Sequence, residues 1–392
     1  MSVILDVLLL VQSVLIFLFA GYEYLTLMHF PALPADLGAV LEPPLVSIIL
    51  PVRNQAKTVG ECVNSLVHLD YPNKEVIVVE GDSTDGTQGI LREFRDKIFL
   101  VEEEPLPSDW VGKSWACHVG YQKAKGELLL FTDGDSVHSH DSLTRTVSYL
   151  KATSADMVTV APGALLRTFW EKVLQPPIFL LIMLFVGGKW VNNDKRRNAL
   201  GNGQYMLFRR EAYEKVGGHQ AVRDKIVEDY NLARLMKKSG MRLRIVTAQD
   251  AIGVRMYASL GEIWRGWRKN FYTVSHNNNF ARAVLRLAFM FTFLVLPFIV
   301  FGYGIWLATK TPFNIYLITG AFMAGLLWLG IIIIDRSIGI SPAYALLFPF
   351  AIIVYMGIGL DSTIRGALGL GFPWKGRVYG KPVQIQREEG IA

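Results

Sequence analysis

The 392-residue chain has little cysteine, and two long regions contain almost no positive charge. Its only cysteines, Cys62 and Cys117, lack the spacing of a metal site or of a disulfide framework, which favours a reducing compartment. No Lys or Arg precedes Arg53, and Lys310 is the only one between residues 287 and 335. The formal charge of +6 therefore belongs mostly to the middle and the end of the chain, where it favours an anionic membrane surface and phosphorylated ligands.

Familiar nucleotide and nucleic-acid motifs are also absent. The polar, glycine-containing loop at 81–87 has neither the Gly-x-Gly-x-x-Gly nor the Gly-Lys-Ser/Thr pattern, which disfavours a dehydrogenase and a nucleoside triphosphatase. No recognised nucleic-acid motif accompanies the basic charge, so we expect no nucleic-acid partner. In contrast, the apolar fraction of 51% is too high for a wholly soluble protein of this length.

Long apolar segments lie near both ends of the chain. Residues 3–27 are long enough to cross a hydrocarbon core of ~30 Å. They lack a basic n-region and a clear cleavage site, so they predict a retained anchor. Three more such stretches lie at about 285–308, 313–334 and 344–360. We predict a transmembrane anchor at 1–30, a Pro-rich linker at 31–44, a catalytic domain at 45–275, a transmembrane region at 276–364 and a basic tail at 365–392.

The region between the apolar ends alternates strand and helix patterns. Apolar runs at 45–52, 75–80, 98–101 and 128–132 predict strands, and helical stretches lie between them. This alternation predicts an α/β fold, with a Rossmann-like, mostly parallel sheet and flanking helices. The carboxyl ends of parallel strands share one edge, where open sheets bind their ligands. We therefore expect Pro51, Glu80 and Asp133 to lie at a nucleotide site.

Asp133-Gly134-Asp135 directly follows the apolar run at 128–132. Two carboxylates at i and i+2, separated by a glycine that allows close approach, suit one hard cation and its diphosphate. Oxygen ligands of this kind suit both Mg²⁺ and Mn²⁺. The alternative is a glycine-centred turn with solvated aspartates.

Several segments together resemble glycosyltransferase family 2, over about 46–240. They are Pro51-Val52-Arg53-Asn54, Val79-Glu80, Ser83-Thr84-Asp85-Gly86-Thr87 and Phe131-Thr132-Asp133-Gly134-Asp135. The resemblance implies the GT-A fold, a nucleotide-diphosphate sugar and a divalent metal, Mg²⁺ or Mn²⁺. The second strand of family members usually ends in Asp-Asp, whereas Glu80-Gly81-Asp82 stands here.

Two more segments are similar to family members that act on membrane lipids, namely the hopanoid-associated, carotenoid-acid and ceramide glucosyltransferases. Residues 109–116 resemble their Gly-Trp-x-Gly-Lys-x-x-Ala segment, and residues 374–379 resemble a terminal motif. The second likeness implies that the end of the chain lies near the active site.

The resemblance also implies roles for single residues. Asp135, helped by Asp133, would hold the metal that bridges the diphosphate oxygens. Lys113 would neutralise phosphate, although a lone loop lysine is also typical of a solvated surface. Asp229 of the Glu228-Asp229 pair would be the base that deprotonates the acceptor, whereas a plain helix N-cap is the alternative. The predicted substrate-binding residues are Pro51, Arg53, Asn54, Glu80, Asp82, Lys113, Asp133, Gly201, Asn202, Gly203, Glu228, Trp264, Trp267, Arg268 and Lys269.

Three of these predictions rest on local pattern. The glycines of Gly201-Asn202-Gly203 permit close backbone approach to a sugar or acceptor, or form an ordinary turn. Trp264 and Trp267, with basic neighbours, predict an interfacial helix, with a diphosphate contact from Arg268 or Lys269 as the alternative. The apolar run at 176–186 is too short to span, which predicts a re-entrant or interfacial helix or an ordinary core helix.

We predict an integral membrane, inverting, metal-dependent glycosyltransferase that moves one sugar from a nucleotide donor, UDP rather than GDP, to a lipid hydroxyl or carboxyl group. The alternatives are transfer to a polyprenyl phosphate, a processive polysaccharide synthase, and an inactive sugar-nucleotide-binding membrane protein. Lys269 stands where a processive enzyme has Trp after the matching Arg, which disfavours the synthase.

The expected location is the cell membrane, with several spans and a cytoplasmic catalytic domain. One anchor followed by three spans would leave the tail outside. The tail is basic, so the positive-inside rule opposes that arrangement. We expect a cytoplasmic tail and one re-entrant stretch. The basic residues of the tail are Arg365, Lys375, Arg377, Lys381 and Arg387.

Overall fold

The computed structural model describes residues 2–28, 30–37, 42–186, 188–276, 279–375 and 377–379, so the predicted tail residues Lys381 and Arg387 lie outside it. The helices are α1 (Ser2–Met28), α2 (Val59–Val67), α3 (Thr87–Arg92), α4 (Gly112–Lys123), α5 (Ser142–Ala152), α6 (Phe169–Val186), α7 (Arg210–Lys215), α8 (Glu228–Lys238), α9 (Leu260–His276), α10 (Phe280–Met290), α11 (Leu296–Ala308), α12 (Ile315–Ser337) and α13 (Phe348–Ala367). The strands are β1 (Val46–Val52), β2 (Lys74–Glu80), β3 (Phe99–Glu102), β4 (Leu128–Phe131), β5 (Ser136–His138), β6 (Met157–Ala164), β7 (Met206–Arg209), β8 (Leu243–Val254), β9 (Phe372–Trp374) and β10 (Arg377–Tyr379).

Eight strands form one sheet in the order β3-β2-β1-β4-β7-β6-β8-β5. β1 pairs in parallel with β2 and β4, β2 with β3, and β6 with β8. β7 is antiparallel between β4 and β6, and β5 is antiparallel to β8. The predicted α/β fold with a mostly parallel sheet is thus confirmed, with two reversed strands. β9 and β10 form a separate hairpin.

Helices cover both faces of the sheet because its central strands are apolar on both sides. On one face, Ile48 and Leu50 of β1 belong to the buried cluster that includes Val63 and Leu66 of α2. On the other face, Ile49 packs with Cys117 of α4. A Cβ at Gly120 would lie 2.5 Å from Ile49 Cγ2, so α4 lies very close to β1. This packing fixes the position of the start of α4 relative to the strand ends.

β1 ends at Val52, in agreement with the predicted run at 45–52. Proline has no backbone N–H to donate, so it is best tolerated where a strand has a neighbour on one side only. β1 continues to Val52, with Pro51 opposite Val79 of β2. On the other side, the last partner in β4 is Phe131, opposite Ile49. Pro51 therefore lies beyond the β4 pairing and borders one strand.

The described chain has four helices that are long and apolar enough to cross a membrane: Val3–Tyr22, Phe280–Ala308, Ile315–Ser337 and Pro342–Ala367. A π-helical turn at Phe291–Val295 joins α10 to α11. α11 and α12 approach closely, because a Cβ at Gly304 would lie 2.3 Å from Leu317 N and one at Gly320 would lie 2.5 Å from Phe301 N. Small residues allow such contacts between membrane helices.

α6 begins at Phe169, before the predicted 176–186 run, and contains Pro176 and Pro177 inside it. Its buried residues Val173, Leu174 and Ile178 share a cluster with residues of α12 and α13. The Tyr355 hydroxyl of α13 donates a hydrogen bond of 2.6 Å to the Leu174 carbonyl, next to the prolines. α6 therefore lies between the eight-stranded sheet and the apolar helices.

Candidate active site

Lys113 links two acidic segments that are 95 residues apart in the chain. It lies in the first turn of α4, and its Nζ is 2.7 Å from Asp133 Oδ1 and 2.8 Å from Glu228 Oε1. Burial alone would lower the pKa of Lys113, but the Asp133 and Glu228 carboxylates outweigh it and raise that pKa well above its ordinary value. The ammonium therefore stays charged and ties the end of β4 to the start of α8.

Asp135 has the character expected of a cation ligand. Its Oδ1 is buried and accepts no hydrogen bond from the described residues. Burial, and then the negative charge of Asp133, raise the pKa of Asp135 to about 7. A buried carboxylate oxygen without a donor, next to a second carboxylate, fits a hard cation. No group of three or more His, Cys, Asp or Glu side chains in the described ranges forms a complete cage. The pair therefore suits a cation that takes its other oxygens from a ligand.

Asp229 is held in a fixed orientation at the start of α8. Its Oδ2 accepts a hydrogen bond of 2.9 Å from the Gly203 amide, and its Oδ1 accepts one of 2.7 Å from the Tyr230 amide. The N-cap position of α8 is Val227, so Asp229 is not the plain N-cap of the alternative interpretation. Burial and the neighbouring Glu228 raise the pKa of Asp229 to about 6.

The Gly201-Asn202-Gly203 loop closely approaches α8. A Cβ at Gly201 would lie 2.3 Å from the Asp229 carbonyl oxygen, and one at Gly203 would lie 2.5 Å from Lys113 Nζ. Asn202 stabilises the loop, because its Nδ2 donates to the Val160 carbonyl at 3.0 Å. Glycine is thus required at 201 and 203 because the loop contacts α8 and Lys113. The sequence pattern did not indicate these contacts.

The predicted residues after β1 and β2 stabilise each other. The Glu80 carboxylate accepts hydrogen bonds from the Asp82 and Ser83 amides, at 3.1 and 2.8 Å, and is 3% exposed. The Asn54 side chain accepts one from the Thr84 amide at 2.8 Å. Asn54 and Asp82 have positive φ values of 50° and 57°, a conformation that Asn and Asp tolerate better than most residues. The structure therefore brings these residues together as a preformed loop at the ligand edge.

The predicted residues of α9 divide into two groups. Trp264 Nε1 and Arg268 Nη1 both donate to Asp361 Oδ2 of α13, at 2.8 and 3.2 Å. Trp267 packs edge-on against Tyr257 with ring centroids 6.4 Å apart. Lys269 instead faces the acidic site: burial lowers its pKa to about 8, and the nearby Glu228 charge opposes that change. Arg268 is thus paired within the protein, whereas Lys269 belongs to the charged cluster.

Three pairings were not predicted from the sequence, although the likeness at 374–379 implied that the end of the chain lies near the active site. Arg377 of the β9–β10 hairpin forms an ion pair of 3.0 Å with Glu103, which is buried after β3. Arg255 pairs at 3.0 Å with the buried Glu171 at the start of α6. Asp361 joins α13 to α9. The partners are 84 to 274 residues apart, so no local spacing reveals them.

Part of the chain is similar to known proteins. Residues 47–217 match the family model of glycosyl transferase family 2. The 4,4'-diaponeurosporenoate glycosyltransferase of Staphylococcus haemolyticus is 23% identical over 228 residues, which cover 57% of this chain and 60% of the relative. The enzyme of the same name from Staphylococcus aureus strain USA300 is 26% identical over 233 residues, covering 58% and 61%. The match thus spans about three fifths of each relative.

A solved structure has the same fold. It is a mannosyltransferase from Pyrobaculum calidifontis in complex with GDP-Man and Mn²⁺, with a TM-score of 0.52 and 20% sequence identity. The alignment covers 93% of this chain and 99% of that one. At this identity the likeness shows the GT-A type fold and leaves the donor and the metal of the present chain to be argued from its own residues.

Proposed function

We propose that this chain, whose residues 47–217 match the family model of glycosyl transferase family 2, is an integral membrane, inverting glycosyltransferase. It transfers a single sugar from a nucleotide-diphosphate sugar to a membrane lipid. The domain spans 45–275, between the anchor at 1–30 with its linker at 31–44 and the apolar region at 276–364, followed by the basic tail at 365–392. The catalytic domain faces the cytoplasm.

The observation that carries this proposal is the convergence of two carboxylate pairs around one lysine. Asp133 and Asp135 follow β4, and Glu228 and Asp229 begin α8. Lys113 contacts a member of each pair, at 2.7 and 2.8 Å. A reaction that separates a diphosphate from a sugar and deprotonates an acceptor needs cations at the diphosphate and a base across from them. This cluster offers both.

Asp133 and Asp135 would hold a divalent cation, Mg²⁺ or Mn²⁺, which neutralises the charge of the leaving diphosphate. Lys113 adds positive charge beside the same carboxylates. Asp229 accepts the proton of the acceptor hydroxyl. At the same time the acceptor oxygen bonds to the anomeric carbon, and the bond between that carbon and the diphosphate breaks. This single displacement inverts the anomeric centre. A pKa of about 6 leaves Asp229 ionised at neutral pH and still basic enough to accept a proton.

A lipid acceptor is supported by the elements around the cluster. α6 packs against α12 and α13, and α9 packs against α13. The catalytic domain is therefore continuous with helices of membrane length. The names of the staphylococcal relatives give a carotenoid acid as the acceptor. This supports a lipid hydroxyl or carboxyl group as the acceptor of the present chain.

The test is metal-dependent sugar transfer in detergent with lipid extract and a panel of UDP- and GDP-sugars, for wild type and Asp229→Asn. We expect one donor to be consumed, a glycolipid with a single added sugar, and loss of transfer in the variant by roughly 10²-fold or more. Nucleotide binding should persist, because Asp229 contacts the acceptor side. Asp96→Asn, an exposed aspartate before β3, is the matched control.

Other results would favour other functions. Equal transfer by wild type and Asp229→Asn would refute the base assignment and favour an acceptor that is already ionised, such as a polyprenyl phosphate or a lipid carboxylate. A product with many sugars would identify a processive synthase. A wild type that binds a sugar nucleotide without consuming it would identify a binding protein.

A further inference from the structure

The β9–β10 hairpin lies across the ligand edge of the sheet, although it follows the last apolar helix. Arg377 Nη2 contacts Glu103 Oε2 at 3.0 Å, just after β3. The Lys375 carbonyl accepts a hydrogen bond of 3.1 Å from Arg53 Nε, just after β1. Arg53 Nη1 also donates to the Gly81 carbonyl after β2. In the sheet order β3-β2-β1, these contacts follow the carboxyl ends of three neighbouring strands.

The base of the hairpin is fixed next to the acidic cluster. Phe372 is 3% exposed and packs with Ala283 of α10 and Ile226, two residues before Glu228. The open end of the hairpin is therefore anchored beside α8, and its turn end lies beside Glu103 and Arg53.

The residue at this turn is Lys375. Trp374 of β9 pairs with Arg377 of β10, so Lys375 is the first residue of the turn that joins the two strands. Lys375 has a positive φ of 46°, as the first residue of a type I′ hairpin turn requires. Lysine rarely adopts this conformation, and Asn or Gly would fit it better. A lysine at such a position calls for a role of its side chain.

Charged residues near the ends of the strands lie around the Lys375 side chain. Burial lowers the pKa of Lys375, while the Asp135 and Asp133 carboxylates oppose this change and the Lys113 ammonium adds to it. In turn, Lys375 and Lys113 both lower the pKa of Asp135. Lys375 thus lies near the carboxylates that would share a cation with the diphosphate. Together with Lys113 it provides the positive charge that a diphosphate requires.

We propose that the β9–β10 hairpin completes the donor site and that Lys375 is a binding residue for the diphosphate of the sugar nucleotide. This inference rests on the proposed function, since it takes a nucleoside diphosphate as the ligand. The hairpin covers the edge of the sheet beside Arg53 and Glu103, and Lys375 contacts phosphate oxygens of the donor.

The test measures the binding of UDP and of GDP in the presence of Mn²⁺ to the full-length protein in detergent. Lys375→Asn removes the charge and keeps a residue that favours the left-handed turn, whereas Lys375→Arg keeps the charge. Lys97→Gln removes an exposed lysine at the amino end of β3 and is the control for net charge. Thermal unfolding checks each variant, and Lys375→Gly replaces Lys375→Asn if the latter does not fold.

We expect Lys375→Asn to raise the Kd of the preferred diphosphate about tenfold, the effect of losing one charge-assisted hydrogen bond. Lys375→Arg and Lys97→Gln should bind within twofold of wild type. A Kd for Lys375→Asn or Lys375→Gly within twofold of wild type would overturn the role of Lys375 and leave the proposed function intact. A wild type that binds neither diphosphate would overturn both.

Discussion

At the scale of single residues, the site is a set of charges that control each other. Lys113 is held charged by Asp133 and Glu228, and in turn it lowers the pKa values of Asp135 and Asp229. Burial raises both carboxyl pKa values, so each acid is poised between its protonated and ionised forms near neutral pH. This is the balance that a general base and a cation ligand need.

The pKa of Asp229 predicts the pH dependence of transfer. Only the ionised carboxylate accepts a proton, so kcat/KM for a hydroxyl acceptor should fall tenfold per pH unit below about pH 6 and level off above about pH 7. The profile is measured at saturating Mn²⁺, which keeps Asp135 ionised.

Two variants make this pH prediction specific to Asp229. Asp229→Asn should remove the fall in kcat/KM at acidic pH along with most of the rate. Asp96→Asn should preserve both the rate and its pH dependence. If the residual activity of Asp229→Asn still fell in the same way below about pH 6, the pH dependence would belong to another group.

At the scale of elements, the glycine loop at 201–203 and the start of α8 form one unit. The loop donates the Gly203 amide to Asp229, and its glycines leave room for the Asp229 carbonyl and for Lys113. The sequence pattern indicated close approach to a ligand, but the close approach found here is to the helix that carries the proposed base. Asp229 is therefore oriented by backbone on both sides, which leaves it little freedom to rotate.

This packing predicts that Gly201→Ala is strongly destabilising. The added Cβ would lie 2.3 Å from a backbone carbonyl oxygen, which cannot move without shifting α8. Chemical denaturation in detergent should show a loss of roughly 1–3 kcal/mol in the free energy of unfolding. Gly89→Ala, in α3 with no neighbour within 4 Å of its Cβ, should show no loss. Equal stability of the two variants would contradict the packing argument.

At the scale of the whole molecule, both ends of α13 lie beside the catalytic domain. Before its start, the Tyr344 ring lies 5.8 Å from Lys172 Nζ of α6. Near its end, Asp361 pairs with Arg268 of α9. A helix that crossed the bilayer would separate its ends, so we predict that α13 lies at the membrane surface. On this prediction α1, the α10–α11 helix and α12 cross the membrane, and the hairpin lies on the same side as the sheet.

This arrangement predicts which positions share one side of the membrane. The native Cys62 and Cys117 are buried, so single cysteines can be added at exposed sites. With a membrane-impermeant maleimide, Lys97→Cys and Leu370→Cys should be labelled from the same side, and Thr311→Cys, between α11 and α12, from the opposite side. Labelling of Leu370→Cys together with Thr311→Cys would show that α13 crosses.

The sequence by itself determined the α/β fold and the apolar helices, because both follow from local patterns. The apolar runs of β1, β2 and β4 predict buried parallel strands, and their polar ends identify the ligand edge. Asp133 and Asp135 were likewise predicted from one local motif, and Asp229 was predicted from the Glu228-Asp229 pair. The reversed β7 escaped prediction, since a four-residue strand carries no sign of its direction.

Only the tertiary structure decided which charges meet. Lys113 joins Asp133 to Glu228, and Arg377 joins Glu103 across 274 residues, distances over which no sequence spacing carries information. Arg268 was predicted to bind substrate, and only the structure shows that it pairs with Asp361 of α13. The sequence of α13 likewise does not give its position relative to the membrane, because apolar length alone describes spanning and surface helices equally. What separates them is the contacts at their two ends, and those contacts exist only in the folded protein.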